Sequence, residues 1–202
     1  MKAERFGLVT SRIAEDADYE GVRAKFKGQF GKMPLAMQID FGFSDVITPS
    51  AVSITYPSVL GQPPAKLQAY NRETAVAEKF EAMVKLGELN SRMKDFFDVW
   101  VLAQNFSFDE RILAKAVQTT FTRRETDIEA ESVCFTERFA SLPDKQAQWN
   151  GFIKTNRVEN VPHEFSKVVG CVCEFLQPIM QTILAASDSD RQWKPAGHWS
   201  EK

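Results

Sequence analysis

Histidine and cysteine are scarce in this 202-residue sequence: His163 and His198 are its two histidines, and Cys134, Cys171 and Cys173 its three cysteines. With so few of both and no ligand spacing among them, a tetrahedral zinc site is not expected. An odd number of cysteines without framework spacing also excludes a disulfide scaffold, and a reducing, cytoplasmic setting is the one expected. No apolar run approaches the roughly 20 residues of a membrane span, so no membrane partner is expected. The opening "MKAERFGLVTSRIAED" lacks the apolar core of a signal peptide. An excess of one charge is missing too. With 25 Lys+Arg against 27 Asp+Glu the formal net charge is -2, so the chain has no general attraction for nucleic acid, and any such contact needs a local patch. Repeats and low-complexity blocks are absent.

What remains is an ordinary globular composition, 44% hydrophobic and 26% charged, which argues against wholesale disorder. The length suits one domain, or one with an appendage. The first part alternates with a period of two. From Val22, "VRAKFKGQF" sorts Val22, Ala24, Phe26 and Phe30 to one face and Arg23, Lys25, Lys27 and Gln29 to the other. After the turn signal "GKMP", "LAMQIDFGF" directs Leu35, Met37, Ile39, Phe41 and Phe43 inward. Phe6 to Ala14 reads as a third strand, joined to Val22 by the hairpin connection "EDADYEG". Thr48 to Pro64 reads as irregular with at most a short strand near Ser53, and "KLQAY" as a further strand.

Beyond Tyr70 the period becomes helical. Helices are expected over 72–87, 91–104, Phe108 to Arg123 with Ser107 as N-cap, 129–140, 143–154 and 162–185, the last kinked at Pro178. The polar tail "SDSDRQWKPAGHWSEK" is expected to be flexible. Strands first and helices afterwards give an α+β fold, divided as 1–104, 105–186 and a tail 187–202.

Three groups of ions stand out. In the 91–104 helix, apolar residues cover most of the circumference and leave Asp95, Asp98 and Leu102 in one sector. Such a carboxylate pair must be hydrogen-bonded, face a cleft or bind a cation. Lys79 flanks the apolar stripe of the preceding helix, whereas Glu78, Glu81 and Lys85 take ordinary polar positions. A structural ion pair between Lys79 and Asp95 or Asp98, and a cleft where the lysine meets phosphate, are both open on spacing alone. Asp40 sits on the polar face of its strand, either merely solvated or, in a groove, able to hold Mg²⁺. Asp45 reads as a turn residue. Arg123 and Arg124 close their helix, where they complement the helix dipole; phosphate capture is the second reading.

Three stretches, "YEGVRAKFKGQFGKMPLAMQIDFGFSD", "YPSVLGQPPAKLQAYNRETAVAEKFEAMVKLGELNSRMKDFFDVW" and "TTFTRRET", resemble in order the nucleotidyltransferase AbiEii/AbiGii toxin family. The resemblance spans roughly residues 1–185 and is most specific in "ETAVAEKFEAMV…NSRMKDFFD". It implies a partial nucleotidyltransferase-like sheet followed by a helical C-terminal region. The implied chemistry is transfer of a nucleotide from an NTP, with Mg²⁺ or Mn²⁺, to an acceptor such as a tRNA end. It also implies a cognate antitoxin. Asp40 matches the family's third acidic position, a catalytic and metal-binding role. Lys79 matches the second-motif lysine, catalytic and nucleotide-binding. Asp95 matches the downstream acidic catalytic position; Lys94 and Asp98 complete "KDFFD" as nucleotide-binding residues, with Arg123 as a further nucleotide-binding candidate. The family's first motif, a glycine turn and helix before an Asp-x-Asp strand, is expected ahead of residue 1; Asp16-Ala17-Asp18 is a look-alike. Impaired transfer by this chain alone is therefore expected. The alternative is a non-enzymatic protein that binds nucleotide, RNA or antitoxin. An open sheet edge is expected to favour homo-oligomers.

Overall fold

A computed structural model describes residues 8–13, 21–43, 46–58, 61–195 and 197–202. The hairpin connection "EDADYEG" up to Glu20, with Asp16 and Asp18, lies outside the described residues, as do Asp45 and the outer ends of the expected first strand. The chain is α+β and divides into two compact units, Met1–Asp45 and Val46–Lys202.

The first unit is an antiparallel sheet of β1 (Val9–Ile13), β2 (Gly21–Phe30) and β3 (Met33–Gly42), with β2 in the centre. A two-residue turn, Gly31-Lys32, joins β2 to β3. Gly31 takes φ 60° there, a conformation that costs glycine nothing. The register sets Val22 opposite Phe41, Ala24 opposite Ile39 and Phe26 opposite Met37, so the expected apolar residues do share one face. Ala24 on β2 is buried and Val22 and Phe26 are part-buried, but the residues on β3 are exposed. Ile39 is 47% exposed and Phe41 48%, and Leu35, Met37 and Phe43 are comparable. The alternation sorted the faces as expected, but the described residues of this unit form a single layer, with no second layer to cover the apolar side.

The second unit opens with a hairpin of β4 (Val52–Tyr56) and β5 (Ala65–Ala69). Helix α1 (Arg72–Leu86) follows. Asn71 caps it, accepting from the Thr74 amide at 2.7 Å, while its own amide donates to the carbonyls of Thr48 and Ser50. Gly87, at φ 48°, ends the helix by returning its N–H to Met83 and Val84. A 3₁₀ turn over Gly87–Leu89 leads to α2 (Met93–Asn105). Next come the two-residue strand β6 (Phe108–Asp109) and α3 (Glu110–Arg123). The cap of α3 is Asp109, whose carboxylate accepts from the Ile112 amide, rather than Ser107; β6 keeps residues 108 and 109 extended.

The helix expected over 129–140 shrinks to α4 (Glu137–Ala140), preceded by a 3₁₀ turn at Val133–Phe135. Thr136 accounts for the difference: its hydroxyl accepts from the Phe139 amide and starts a helix there. Helix α5 (Pro143–Asn156) and the 20-residue α6 (Phe165–Leu184) complete the helices, α6 continuing through Pro178. With a mean hydropathy of 1.2, α6 is long and apolar enough to cross a membrane. Its Val168, Val172, Phe175, Leu176 and Ile179 are instead buried among other helices, as in a core helix.

One apolar core serves the helices on both sides of residue 104. Helix α1 packs on α3 and α2 on α6. Aromatic pairs mark the joints: Phe80 with Phe121 at 5.2 Å and Phe96 with Phe165 at 5.1 Å between ring centres. The segment expected to be a flexible tail joins this core. Strands β7 (Arg191–Trp193) and β8 (Trp199–Glu201) extend β6 into a small antiparallel sheet. Trp193 is buried and donates its indole N–H to the Ala103 carbonyl at 2.8 Å; Trp199 stacks on Phe175.

Candidate functional site

The Asn71 cap and the Gly87 stop fix the length of α1, and the short link to α2 sets the two helices side by side. That arrangement brings Lys79 to the carboxylates expected for it. Its ammonium donates to Asp95 Oδ1 at 3.1 Å and lies 2.7 Å from Asp98 Oδ2. Lys94 reaches the same Asp98 oxygen from the next turn of α2. Lys79, Asp95 and Asp98 are each part-exposed, between 16% and 24%, so the cluster reaches the surface and is not sealed in the core. Burial alone would lower the Lys79 pKa; hydrogen bonds and charge from Asp98 and Asp95 outweigh it and hold the ammonium above its ordinary value.

An open groove of about 600 Å³ runs between the start of α2 and the later half of α5. Arg92, Lys94 and Asp95 form one wall, Gln148, Phe152 and Asn156 the other. Its size is that of a small-molecule site. Gln148 keeps its Oε1 buried without a hydrogen-bond partner. Sequence reasoning missed Arg92, Gln148 and Phe152. Arg92 stands in the "NSRMKDFFD" block and carried a signal; the α5 residues carry none, because only the tertiary packing brings α5 to α2.

Asp40 belongs to the first unit. It lies on the polar face of β3, directly across from Arg23 on β2. Arg23 donates from Nε to Oδ1 at 2.9 Å and from Nη2 to Oδ2 at 3.0 Å, a bidentate fork, and the Gln38 amide reaches both oxygens as well. The hydrogen bond from Arg23 is the largest influence on this carboxyl and holds it below its ordinary pKa. Cross-strand register alone would have revealed this partner. The donor set does not fit a divalent ion as arranged. Both Asp40 oxygens are engaged by cation and amide donors, and no group of three His, Cys, Asp or Glu side chains able to hold a metal occurs among the described residues.

Arg123 lines a different groove of about 500 Å³, with Val46, Lys115, Gln118, Thr119 and Thr122, none of them in the Lys79 cluster. Arg124 turns back onto α1, pairing with Glu78 and donating to Glu81 Oε2 at 2.8 Å. Glu81, read from the sequence as an ordinary polar position, is 1% exposed and also accepts from the Thr126 hydroxyl. This network ties the end of α3 to α1 and leaves Arg124 a structural role.

No curated protein and no solved structure matches this chain. A family model does match residues 2–170, and its description is "Nucleotidyl transferase AbiEii toxin, Type IV TA system". The matched stretch includes the Asp40 strand, the Lys79 helix and the whole Lys94-Asp95-Asp98 motif. The chain thus belongs to the AbiEii nucleotidyltransferase toxin family of toxin–antitoxin systems.

Proposed function

We propose that the groove between α2 and α5, with the Lys79 cluster at its edge, holds the nucleoside triphosphate of a nucleotidyltransferase toxin. The observation that carries this reading is the part-exposed ion cluster beside a groove of about 600 Å³ that Lys94 and Asp95 line. Lys79 and Lys94 are the cations for phosphate oxygens. Asp95 and Asp98 keep both ammonium groups aimed and supply acceptors for ribose or acceptor hydroxyls. Phe152 offers an apolar wall to a base. Arg123, in its separate groove, is a contact for more distant phosphates.

Nucleotidyl transfer to an RNA end such as that of tRNA is the proposed chemistry, in the cytoplasm and under control of a cognate antitoxin. Asp40 enters it only if its carboxylate exchanges Arg23 for another partner. Weak transfer by the chain alone belongs to the same proposal. A second reading, non-enzymatic binding of nucleotide, RNA or antitoxin, draws support from the occupied Asp40 oxygens.

Titration calorimetry with each NTP and Mg²⁺ tests the site: the parent chain binds and Lys79→Ala binds at least tenfold more weakly. Equal binding by both, or none by the parent, removes the assignment. Incubation with labelled NTP, Mg²⁺ or Mn²⁺ and total tRNA separates the two readings, because label appears in RNA only under the first.

A further inference from the structure

We infer that Gly151 and Gln148 of α5 are the residues that position the base of the nucleotide in the α2–α5 groove, an assignment that rests on the nucleotide site proposed above. Along α5 the groove is lined by Gln148, Gly151, Phe152, Thr155 and Asn156, the i, i+3, i+4, i+7 and i+8 positions of one helix face. None of the five is charged. The charged residues of the groove, Arg92, Lys94 and Asp95, all come from α2. The two walls therefore divide the work: triphosphate belongs against α2 and an uncharged heterocycle against α5.

Two members of the α5 stripe have no reason within the chain to be as they are. Gly151 stands in the middle of a helix, where glycine is a poor former. Its φ is not positive, so the backbone does not ask for glycine. Packing does not ask for it either, since a Cβ added there would meet nothing within 4 Å. The missing side chain leaves a flat floor between Gln148 and Thr155, beside the Phe152 ring, which packs on Trp149 at 5.5 Å between ring centres. A planar ring lies on such a floor; a branched side chain would fill the space. Gln148 is the second member. It lines the groove, and its Oε1 is buried without a hydrogen-bond partner. A buried acceptor left unpaired is uncommon. The last side-chain torsion of glutamine is soft, so a turn of the amide offers Oε1 to an N–H on the edge of a base and Nε2 to the neighbouring ring nitrogen or carbonyl. Glutamine makes that donor–acceptor pairing with adenine. A polyphosphate without a base has no use for either residue.

That difference supplies the test: titration calorimetry of the full chain with Mg²⁺ and three probes, ATP, CTP and inorganic triphosphate. The parent should hold the nucleotides more tightly than triphosphate. Gly151→Leu, which fills the floor, should weaken both nucleotides by about tenfold or more. Gln148→Leu should weaken them by about three- to tenfold, the worth of a neutral hydrogen bond. Triphosphate affinity should stay unchanged in both variants, which also shows that the fold and the α2 wall are intact. Gly170→Ala, at a mid-helix glycine of α6 with equally open surroundings outside this groove, should bind all three probes like the parent. Parent-like nucleotide affinity in either α5 variant, an equal loss for triphosphate, or no preference of the parent for nucleotide over triphosphate would each overturn the inference. Lys79→Ala keeps the two proposals apart. Nucleotide binding that needs Lys79 but is indifferent to Gly151→Leu and Gln148→Leu defeats the base floor alone; binding indifferent to Lys79, or absent in the parent, defeats the nucleotide site and this inference with it.

Discussion

The guanidinium of Arg191 donates from Nε and Nη2 to the two carboxylate oxygens of Glu110, a side chain with no solvent exposure. The hydroxyls of Thr182 and Ser189 donate to the same carboxylate. One buried anion at the start of α3 thereby holds the end of α6 and strand β7. Removing the cation leaves that anion buried without its charge partner. Arg191→Ala should lower the stability by about 3–5 kcal/mol, measured by urea unfolding at pH 7.

The same carboxyl sets an acid limit. Burial by itself would raise the Glu110 pKa, but hydrogen bonds from Arg191, Ser189 and Thr182 outweigh it and bring the value below 4.5. A depressed folded-state pKa stabilises the protein above the unfolded value, and that contribution disappears as pH falls through the folded one. Unfolding curves from pH 7 down to pH 3 should show the gap between the parent and Arg191→Ala closing as pH falls and the carboxyl takes up its proton.

Lys79 has the opposite sign. Its folded pKa is raised by Asp98 and Asp95 against the effect of burial, so its contribution is complete below the unfolded value near 10.5 and is lost as pH rises through the folded value. Lys79→Met should cost about 1.5–3 kcal/mol at pH 7, the worth of hydrogen bonds to charged groups. Urea titrations checked beside the nucleotide calorimetry distinguish loss of the site from loss of the fold. A variant as stable as the parent would mean that the ion pairs contribute nothing to folding.

Lys145 is 3% exposed, and its ammonium donates to the Asn90 carbonyl at 3.0 Å. Lys145→Met keeps the alkyl stem and deletes the donor. The unpaired carbonyl should destabilise the protein by about 1–3 kcal/mol, and the mobility it allows at the α1–α2 link should appear as faster amide exchange over 88–92.

The Cys134 thiol is buried and its pKa pushed up to about 11, chiefly by burial. At pH 8 a thiol reagent should modify Cys171 and Cys173 slowly and leave Cys134 untouched until urea unfolds the chain. Mass spectrometry of the modified peptides gives the order directly. Early modification of Cys134 would contradict the packing around the Val133–Phe135 turn.

The parts of this structure legible in the sequence are those fixed by local period. Alternation assigned the faces of β2 and β3, and the i, i+3 spacing of Asp95 and Asp98 placed both carboxylates toward one neighbour. Lys79 meeting them needed only the short link that packs α2 on α1. What stayed hidden depends on partners remote in sequence. Glu81 is buried because Arg124, 43 residues later, comes back to it. The final strands are three residues each and have no period to detect; Trp193 and Arg191 acquire their places from Ala103 and Glu110. The exposure of Ile39 and Phe41 was illegible for another reason: alternation says which side is apolar and is silent about what lies over it.

Trp193 and Trp199 stand 5.7 Å apart at 63° between ring planes. Two indoles held that close in one fixed crossing couple their electronic transitions. Near-ultraviolet circular dichroism of this protein therefore gains a contribution from this pair, beside those of Trp100 and Trp149. Its amplitude would follow the docking and release of the C-terminal strands in real time, without a label, while far-ultraviolet ellipticity follows the helices.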